Sequence, residues 1–150
     1  MAELRDLYQE LILEHSKAPR NYRELKSADR MAEGYNPLCG DRFTVYLQMD
    51  DNIIRDIGFQ GSGCAISKAS ASMMTQSLKG KTKDQAIGLF ERFRETVTGQ
   101  APGNGNHVDL GKLAVFSGVS EFPTRVKCAT LAWHTLQAAL DGEQQTVSTE

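Results

Sequence analysis

Three cysteines and one aspartate are the residues of this 150-residue chain best suited to chemistry. Cys39 and Asp41 stand two positions apart in the segment 35–41, whose proline and glycine predict a tight turn. Cys64 and Cys128 each stand where the pattern predicts the start of a helix. Three sulfurs and one oxygen match the ligand number and charge that a tetrahedral zinc ion or an iron–sulfur precursor site requires. We therefore expect the fold to bring these four side chains together.

Composition narrows the class of protein and its partners. With 40% hydrophobic residues the chain can bury one core, so we expect a single domain over 1–150, with a core at about 4–142 and a polar tail at 143–150. The 17 basic and 19 acidic residues leave a net charge of −2, which disfavours nucleic acid and anionic membranes as partners. No apolar run approaches the roughly 18 residues of a spanning helix. Three cysteines without a secretory signal favour a cytoplasmic location and metal or thiol chemistry over disulfides.

A predicted β-hairpin makes two of the cysteines neighbours. Phe43, Val45 and Leu47 alternate with polar residues, which indicates a half-buried strand, and the segment 53–60 is predicted as its antiparallel partner. Cys39 precedes the first strand and Cys64 follows the second, so antiparallel pairing returns the chain to the same end. A further short strand is predicted near residues 31–35.

Helical patterns surround this hairpin. They are predicted at about 3–17, from Cys64 to about 74, over 82–98, near 110–118, and from Pro123 to about 141. A position in the first turn of a helix favours the Cys64 thiolate and lowers its pKa, although a buried, inert cysteine is an equally reasonable interpretation.

Other polar residues near these elements are weaker candidates. Arg125 precedes Cys128 by one helical turn and could stabilise a thiolate or meet an acidic partner, or could simply be solvated. His15 lies beside an apolar stripe, where a structural role is the usual one. His107, in the glycine-rich segment 99–108, could approach a metal, whereas His134 lies nearly opposite Cys128 on the helix and is excluded as a ligand.

Four motifs together resemble a known family. They are Leu7-Tyr8 with His15 and Pro19-Arg20-Asn21, then the segments 36–41, 61–67 and 125–133, and they contain all three cysteines in the expected order. The chain is similar to iron–sulfur cluster assembly scaffolds of the IscU/NifU N-terminal superfamily over about residues 4–142. Within it the SufU branch is the most similar, because Lys127 stands where IscU proteins usually carry histidine and the interval from Cys64 to Cys128 is longer.

The resemblance implies a fold, a metal and partners. The fold would be α+β, a small antiparallel sheet covered on one face by about five to six α-helices. A zinc ion would be held by Cys39, Asp41, Cys64 and Cys128. The protein would accept persulfide sulfur on Cys39 from a SufS-type cysteine desulfurase and pass it to a SufBCD-type assembly complex. The segment 121–125 departs from the motif that an Hsc-type chaperone reads, so no such chaperone is expected.

Two functions from different classes remain open. One is a zinc-dependent sulfurtransferase, in which the persulfide could also form on Cys128. The other is a non-catalytic scaffold that assembles and transfers a [2Fe-2S] cluster on Cys39, Cys64 and Cys128. A purely structural zinc module is disfavoured, because structural sites rarely use aspartate as a ligand. The sequence lacks the motifs of a zinc deaminase and of a thioredoxin-like redox pair.

Overall fold

The computed structural model describes most of the chain. It covers residues 2–37, 40–98, 113, 115–116, 119, 122–142 and 146–148, and within these ranges it describes the side chains of all but residues 2–8 and 146–148. Cys39, His107 and most of the predicted helix near 110–118 lie outside the described residues.

The described residues form an α+β fold, as predicted. The helices are α1 (Ala2–Lys17), α2 (Ala65–Leu78), α3 (Lys83–Val97) and α4 (Pro123–Leu140), and the strands are β1 (Arg30–Asn36), β2 (Asp41–Asp50), β3 (Ile53–Ser62) and β4 (Thr146–Ser148). The sheet has the order β3-β2-β1-β4, in which β1, β2 and β3 are antiparallel and β4 runs parallel to β1. Two details differ from the prediction. The described part of the chain contains four α-helices rather than five to six, and β4 lies in the segment predicted as a polar tail.

The central hairpin follows the predicted alternation. Phe43, Val45 and Leu47 of β2 are fully buried, whereas the residues between them are partly exposed. β3 pairs with β2 from Ile53 opposite Asp50 to Ser62 opposite Arg42. The beginning of β2 and the end of β3 therefore lie side by side, and the chain enters α2 from that point.

One face of the sheet is covered by helices. α4 packs on β1 and β2, α2 packs on β3 and α4, and α1 and α3 pack on α2 and α4 respectively. α4 approaches β1 so closely that a Cβ atom added to Gly34 would overlap Thr135 Oγ1. Only glycine at that position permits such an approach.

A buried polar contact fixes α2 against α4. The Ser70 hydroxyl of α2 donates to the carbonyl oxygen of Ala129 at 2.6 Å, and the Trp133 indole N–H donates to Ser70 Oγ at 3.2 Å. Ser70 and Trp133 are both fully buried. Because Ala129 follows Cys128 directly, this contact sets the position of the Cys128 turn relative to α2.

Candidate metal centre

Asp41 and Cys64 meet where the hairpin closes. Asp41 begins β2 and is 1% exposed, and Cys64 follows the end of β3. The Cys64 backbone N–H donates to Asp41 Oδ1 at 2.9 Å, and Asp41 Oδ2 lies 3.8 Å from Cys64 Sγ. The carboxylate therefore satisfies a backbone donor with one oxygen and faces the sulfur with the other.

The glycine before Cys64 makes room for this carboxylate. A Cβ atom on Gly63 would lie 2.8 Å from Asp41 Oδ1 and 2.6 Å from Ser67 Oγ. Any other residue would force one of these atoms to move. Gly63 itself is exposed, so the centre reaches the surface on this side.

Cys64 is the N-cap of α2, so the helix begins at Ala65, one position later than predicted. Its sulfur accepts a hydrogen bond from the Ser67 backbone N–H at 3.5 Å, and Ser67 Oγ lies at the same distance. A hydrogen bond with Cys128 is the largest cause that lowers the pKa of Cys64, to about 6. Burial and the Asp41 charge raise this pKa, and the bonds from Ser67 lower it further. The thiolate of half-buried Cys64 is thus favoured relative to that of an ordinary cysteine, in the direction predicted from its helical position.

Cys128 comes from the opposite side of the centre. It is the sixth residue of α4, rather than standing at the beginning of a helix, and it is 3% exposed. The Asn36 side-chain amide donates from Nδ2 to Cys128 Sγ at 3.7 Å. Asn36 ends β1 and is fully buried, and it pairs with Asp41 across the β1–β2 ladder.

The three described donors fit a metal ion. Asp41, Cys64 and Cys128 each offer one ligand atom, and these atoms all lie within 4.8 Å of one another. Zinc–sulfur bonds of about 2.3 Å place two sulfurs of a tetrahedral site about 3.8 Å apart, so only a small contraction is needed. Thiolates with one carboxylate suit zinc and iron. A tetrahedral site needs a fourth ligand, and Cys39, the predicted one, lies outside the described residues.

The remaining candidates occupy other surroundings. Arg125 is exposed, and its guanidinium carbon lies 4.5 Å from the centre of the Phe122 ring. Its role in stabilising a thiolate or meeting a partner stays a prediction. His15 is buried and its Nδ1 lies 2.7 Å from Ser72 Oγ, which agrees with a structural role. His134 packs edge-on against Phe90. Burial and the nearby Arg94 charge lower the pKa of His134.

Sequence reasoning did not single out Asn36 and Ser67, the residues whose N–H groups donate hydrogen bonds to the sulfurs of Cys128 and Cys64. Both lie inside the motifs noted above, yet their hydrogen bonds depend on tertiary packing. One signal for Asn36 was available. Ala32, Gly34 and Asn36 share the inward face of β1, and a polar residue at the inward end of such an alternation requires a buried partner.

The chain belongs to the family described as the NifU-like N terminal domain, whose model matches residues 7–129. It is similar to the zinc-dependent sulfurtransferase SufU of Bacillus subtilis, with 40% identity over 95% of both chains. It is also similar to the iron–sulfur cluster assembly scaffold protein IscU of Streptococcus pyogenes, with 39% identity over 93% of this chain and 86% of the relative.

A solved structure agrees with this assignment. A SUF-system protein, FiSufU, from Fervidobacterium islandicum has a TM-score of 0.79 and 36% identity, with 87% of this chain and 94% of that chain covered. The predicted resemblance to SufU-type members of the superfamily is confirmed. None of the described helices is long and apolar enough to cross a membrane.

Proposed function

We propose that this protein takes part in iron–sulfur cluster assembly as a zinc-dependent sulfurtransferase. The observation that carries the proposal is the convergence of Asp41, Cys64 and Cys128, whose ligand atoms lie within 4.8 Å of one another beside the exposed Gly63. The similarity to a zinc-dependent sulfurtransferase over 95% of the chain supports the choice of activity.

Four residues would hold the metal, namely Cys39, Asp41, Cys64 and Cys128. Zinc would supply positive charge that keeps the cysteines deprotonated and orders the site. Ser67 and Asn36 would hold the sulfurs of Cys64 and Cys128 in place through their hydrogen bonds. Asp41, as a harder and weaker zinc partner than a thiolate, would set how easily the site opens.

Sulfur transfer would take place on Cys39. Its thiolate attacks the outer sulfur of the desulfurase persulfide, a new sulfur–sulfur bond forms on Cys39, and the desulfurase cysteine leaves as a thiolate. One sulfur atom moves with no net oxidation or reduction. Gly40 has a φ of +75°, and a Cβ atom added to it would meet no atom within 4 Å, so there is open space on that side of Gly40.

The proposed partners are a SufS-type cysteine desulfurase and a SufBCD-type assembly complex. Arg125 is exposed beside Phe122 on the first turn of α4 and would contact the desulfurase. An Hsc-type chaperone is not expected. A cytoplasmic location is proposed from the reducing conditions that three working thiols require.

Mass spectrometry of the zinc-loaded protein tests the transfer. After incubation with the desulfurase and free cysteine, without iron, we expect a gain of one sulfur atom that maps to Cys39 and is absent from Cys39→Ala. Arg125→Ala should slow the gain without loss of zinc. Arg55→Ala is the matched control, because Arg55 is also exposed but pairs with Asp50 at the opposite end of the hairpin. A sulfur that maps to Cys128 would move the acceptor role to that residue.

The alternative is a scaffold that assembles a [2Fe-2S] cluster. It is favoured by the similarity to a scaffold protein at 39% identity, nearly equal to the identity with the sulfurtransferase. In that case no sulfur would be gained in the mass spectrum, and iron with sulfide would produce a cluster on Cys39, Cys64 and Cys128. This result would overturn the sulfurtransferase proposal.

A further inference from the structure

We propose that Asn36 is a positioning residue for Cys128, and that its N–H···S hydrogen bond sets how tightly the centre retains its metal. The inference rests on the metal centre proposed above. It assigns a role to a residue that is not itself a ligand.

The surroundings of Asn36 leave its side chain little freedom. The residue is fully buried, and its backbone oxygen accepts the Gly40 N–H at 2.8 Å. Its side chain is therefore aimed by a fixed backbone, and Nδ2 lies 3.7 Å from Cys128 Sγ. When Cys128 binds a metal its sulfur is a thiolate, which can only accept hydrogen bonds, so the amide nitrogen is the end of the side chain that must face it.

Asn36 also joins two sides of the centre. It pairs with Asp41 across the β1–β2 ladder, and its side chain reaches Cys128 on α4. One residue thus relates the carboxylate, which comes from the sheet, to a sulfur that comes from a helix. A shift of α4 along the sheet would break this contact before it disturbed the backbone ladder.

The chemistry of the contact predicts its effect. An N–H donor stabilises the negative sulfur and withdraws electron density from it. Partners that orient metal ligands in this way are usually worth 10- to 100-fold in metal affinity or activity. Loss of the donor should leave Cys128 misplaced and its thiolate more basic, and therefore more easily protonated and detached, so that the metal is released faster.

Two variants with the same branched skeleton separate this role from simple packing. Asn36→Leu replaces the amide by two methyl groups, and Asn36→Asp keeps a polar group but removes the N–H donors. Thr135→Val is the matched control. Thr135 is a fully buried polar residue of α4 whose hydroxyl bonds to the Leu131 carbonyl and not to a sulfur.

Two measurements on the full-length protein test the inference. The first is the rate at which a chelator extracts zinc, and the second is the thiolate-to-metal absorption band of the Co²⁺-substituted protein. We expect both Asn36 variants to release zinc about 10-fold faster or more. Their absorption bands should move to longer wavelength, because a sulfur without its hydrogen bond gives up charge more easily. Thr135→Val should match the wild type in both.

The outcomes are distinct. If wild-type protein bound neither zinc nor Co²⁺, the metal centre and the role of Asn36 would both be wrong. If it bound them and the Asn36 variants kept the wild-type rate and band, only the role of Asn36 would be overturned. Should Asn36→Leu fail to fold, Asn36→Asp decides, since it retains the branched skeleton and replaces only the amide nitrogen by an oxygen. If Thr135→Val changed the zinc-release rate and the absorption band as much as the Asn36 variants do, general packing rather than the N–H···S hydrogen bond would be the cause, and the inference would be overturned.

Discussion

Asp41 makes two distinct contacts at the residue scale. One carboxylate oxygen accepts the Cys64 backbone N–H, and the other lies 3.8 Å from the sulfur of the same residue. A substitution can remove the second contact alone or both together. The two contacts are therefore separable by experiment.

Asp41→Asn should weaken metal binding while the fold is preserved. The amide oxygen can still accept the Cys64 N–H, so the free energy of unfolding of the metal-free protein should change by less than about 1 kcal/mol. Asp41→Ala leaves that N–H without its acceptor and should cost about 1–3 kcal/mol more. Both variants should exchange zinc faster than the wild type. Denaturant titrations with chelator present and zinc-release kinetics measure the two effects.

An unfolded Asp41→Ala protein would count against the view that Asp41 mainly tunes exchange. Equal stability of the alanine and asparagine variants would show that the Cys64 N–H finds another acceptor.

The proximity of Asp41 and Cys64 was predictable from the sequence, because an antiparallel hairpin brings its two ends together whatever its length. The position of Cys128 beside Asp41 and Cys64 could not be derived in this way. It depends on how α4 lies across β1 and β2, and no local pattern encodes that angle. The hydrogen bond from Asn36 depends on the same packing, and so it was missed.

At the scale of elements, the close contact between β1 and α4 determines where Cys128 lies. Gly34 permits this contact, and a methyl group there meets Thr135 Oγ1 and the Leu131 side chain.

Gly34→Ala should destabilise the protein by about 1–3 kcal/mol, because α4 must move away from the sheet. We expect the same shift to weaken zinc retention. Chemical denaturation with and without zinc measures both effects. Gly88→Ala in α3 is the matched control, since no atom lies within 4 Å of the added methyl group, and alanine is favoured over glycine in a helix.

The double variant Gly34→Ala with Thr135→Ala should recover part of the lost stability. If the stability losses of the two single variants simply added in the double variant, the overlap with Thr135 would not be the cause of the Gly34→Ala destabilisation.

A charged contact links β3 to two neighbouring segments. Asp56 accepts from Arg23 at 2.9 Å and from the Ile57 N–H at 2.9 Å, and it lies 3.4 Å from Lys79 Nζ. Burial raises the pKa of Asp56, but the Ile57 bond, Arg23 and Lys79 outweigh burial and lower it below its ordinary value of 3.8.

Asp56→Asn should therefore destabilise the protein at pH 7 by about 0.5–1 kcal/mol, a small effect because Arg23 and Lys79 are half-exposed and screened. A carboxyl whose pKa is lowered by folding stabilises the folded state above its unfolded pKa. The difference in the free energy of unfolding between variant and wild type should shrink as the pH falls below about 4 and through the pKa of Asp56 in the folded state. Thermal unfolding across this pH range checks the trend, and a constant difference would contradict it.

The elements themselves were predictable to different degrees. β2 and β3 alternate strongly, and α3 has a capping box at Thr82 and Gln85, so both patterns are visible in the sequence. β4 has three residues, too few to display an alternation, and it forms only by pairing with β1. Its existence is a tertiary effect.

For the whole molecule, the proposed ligands join elements that are far apart in sequence. Asp41 begins β2, Cys64 caps α2 and Cys128 lies within α4. A metal that binds all of them stabilises the folded chain and not the unfolded one.

Zinc removal should thus lower the melting temperature. At a free zinc concentration 100 times the dissociation constant, the stabilisation is about 2.7 kcal/mol, which corresponds to about 5–10 °C for a domain of this size. Calorimetry with zinc and with chelator measures the shift. Cys128→Ala should lose most of it, and a shift of wild-type size in that variant would exclude Cys128 as a ligand.

The order of the donors along the chain has a consequence for synthesis. Asp41 and Cys64 leave the ribosome together with their hairpin, but Cys128 follows roughly 64 residues later. At about 5–20 residues per second, the nascent chain spends about 3–13 s with an incomplete set of donors. Stable capture of a metal must wait until α4 has been made and has docked on the sheet.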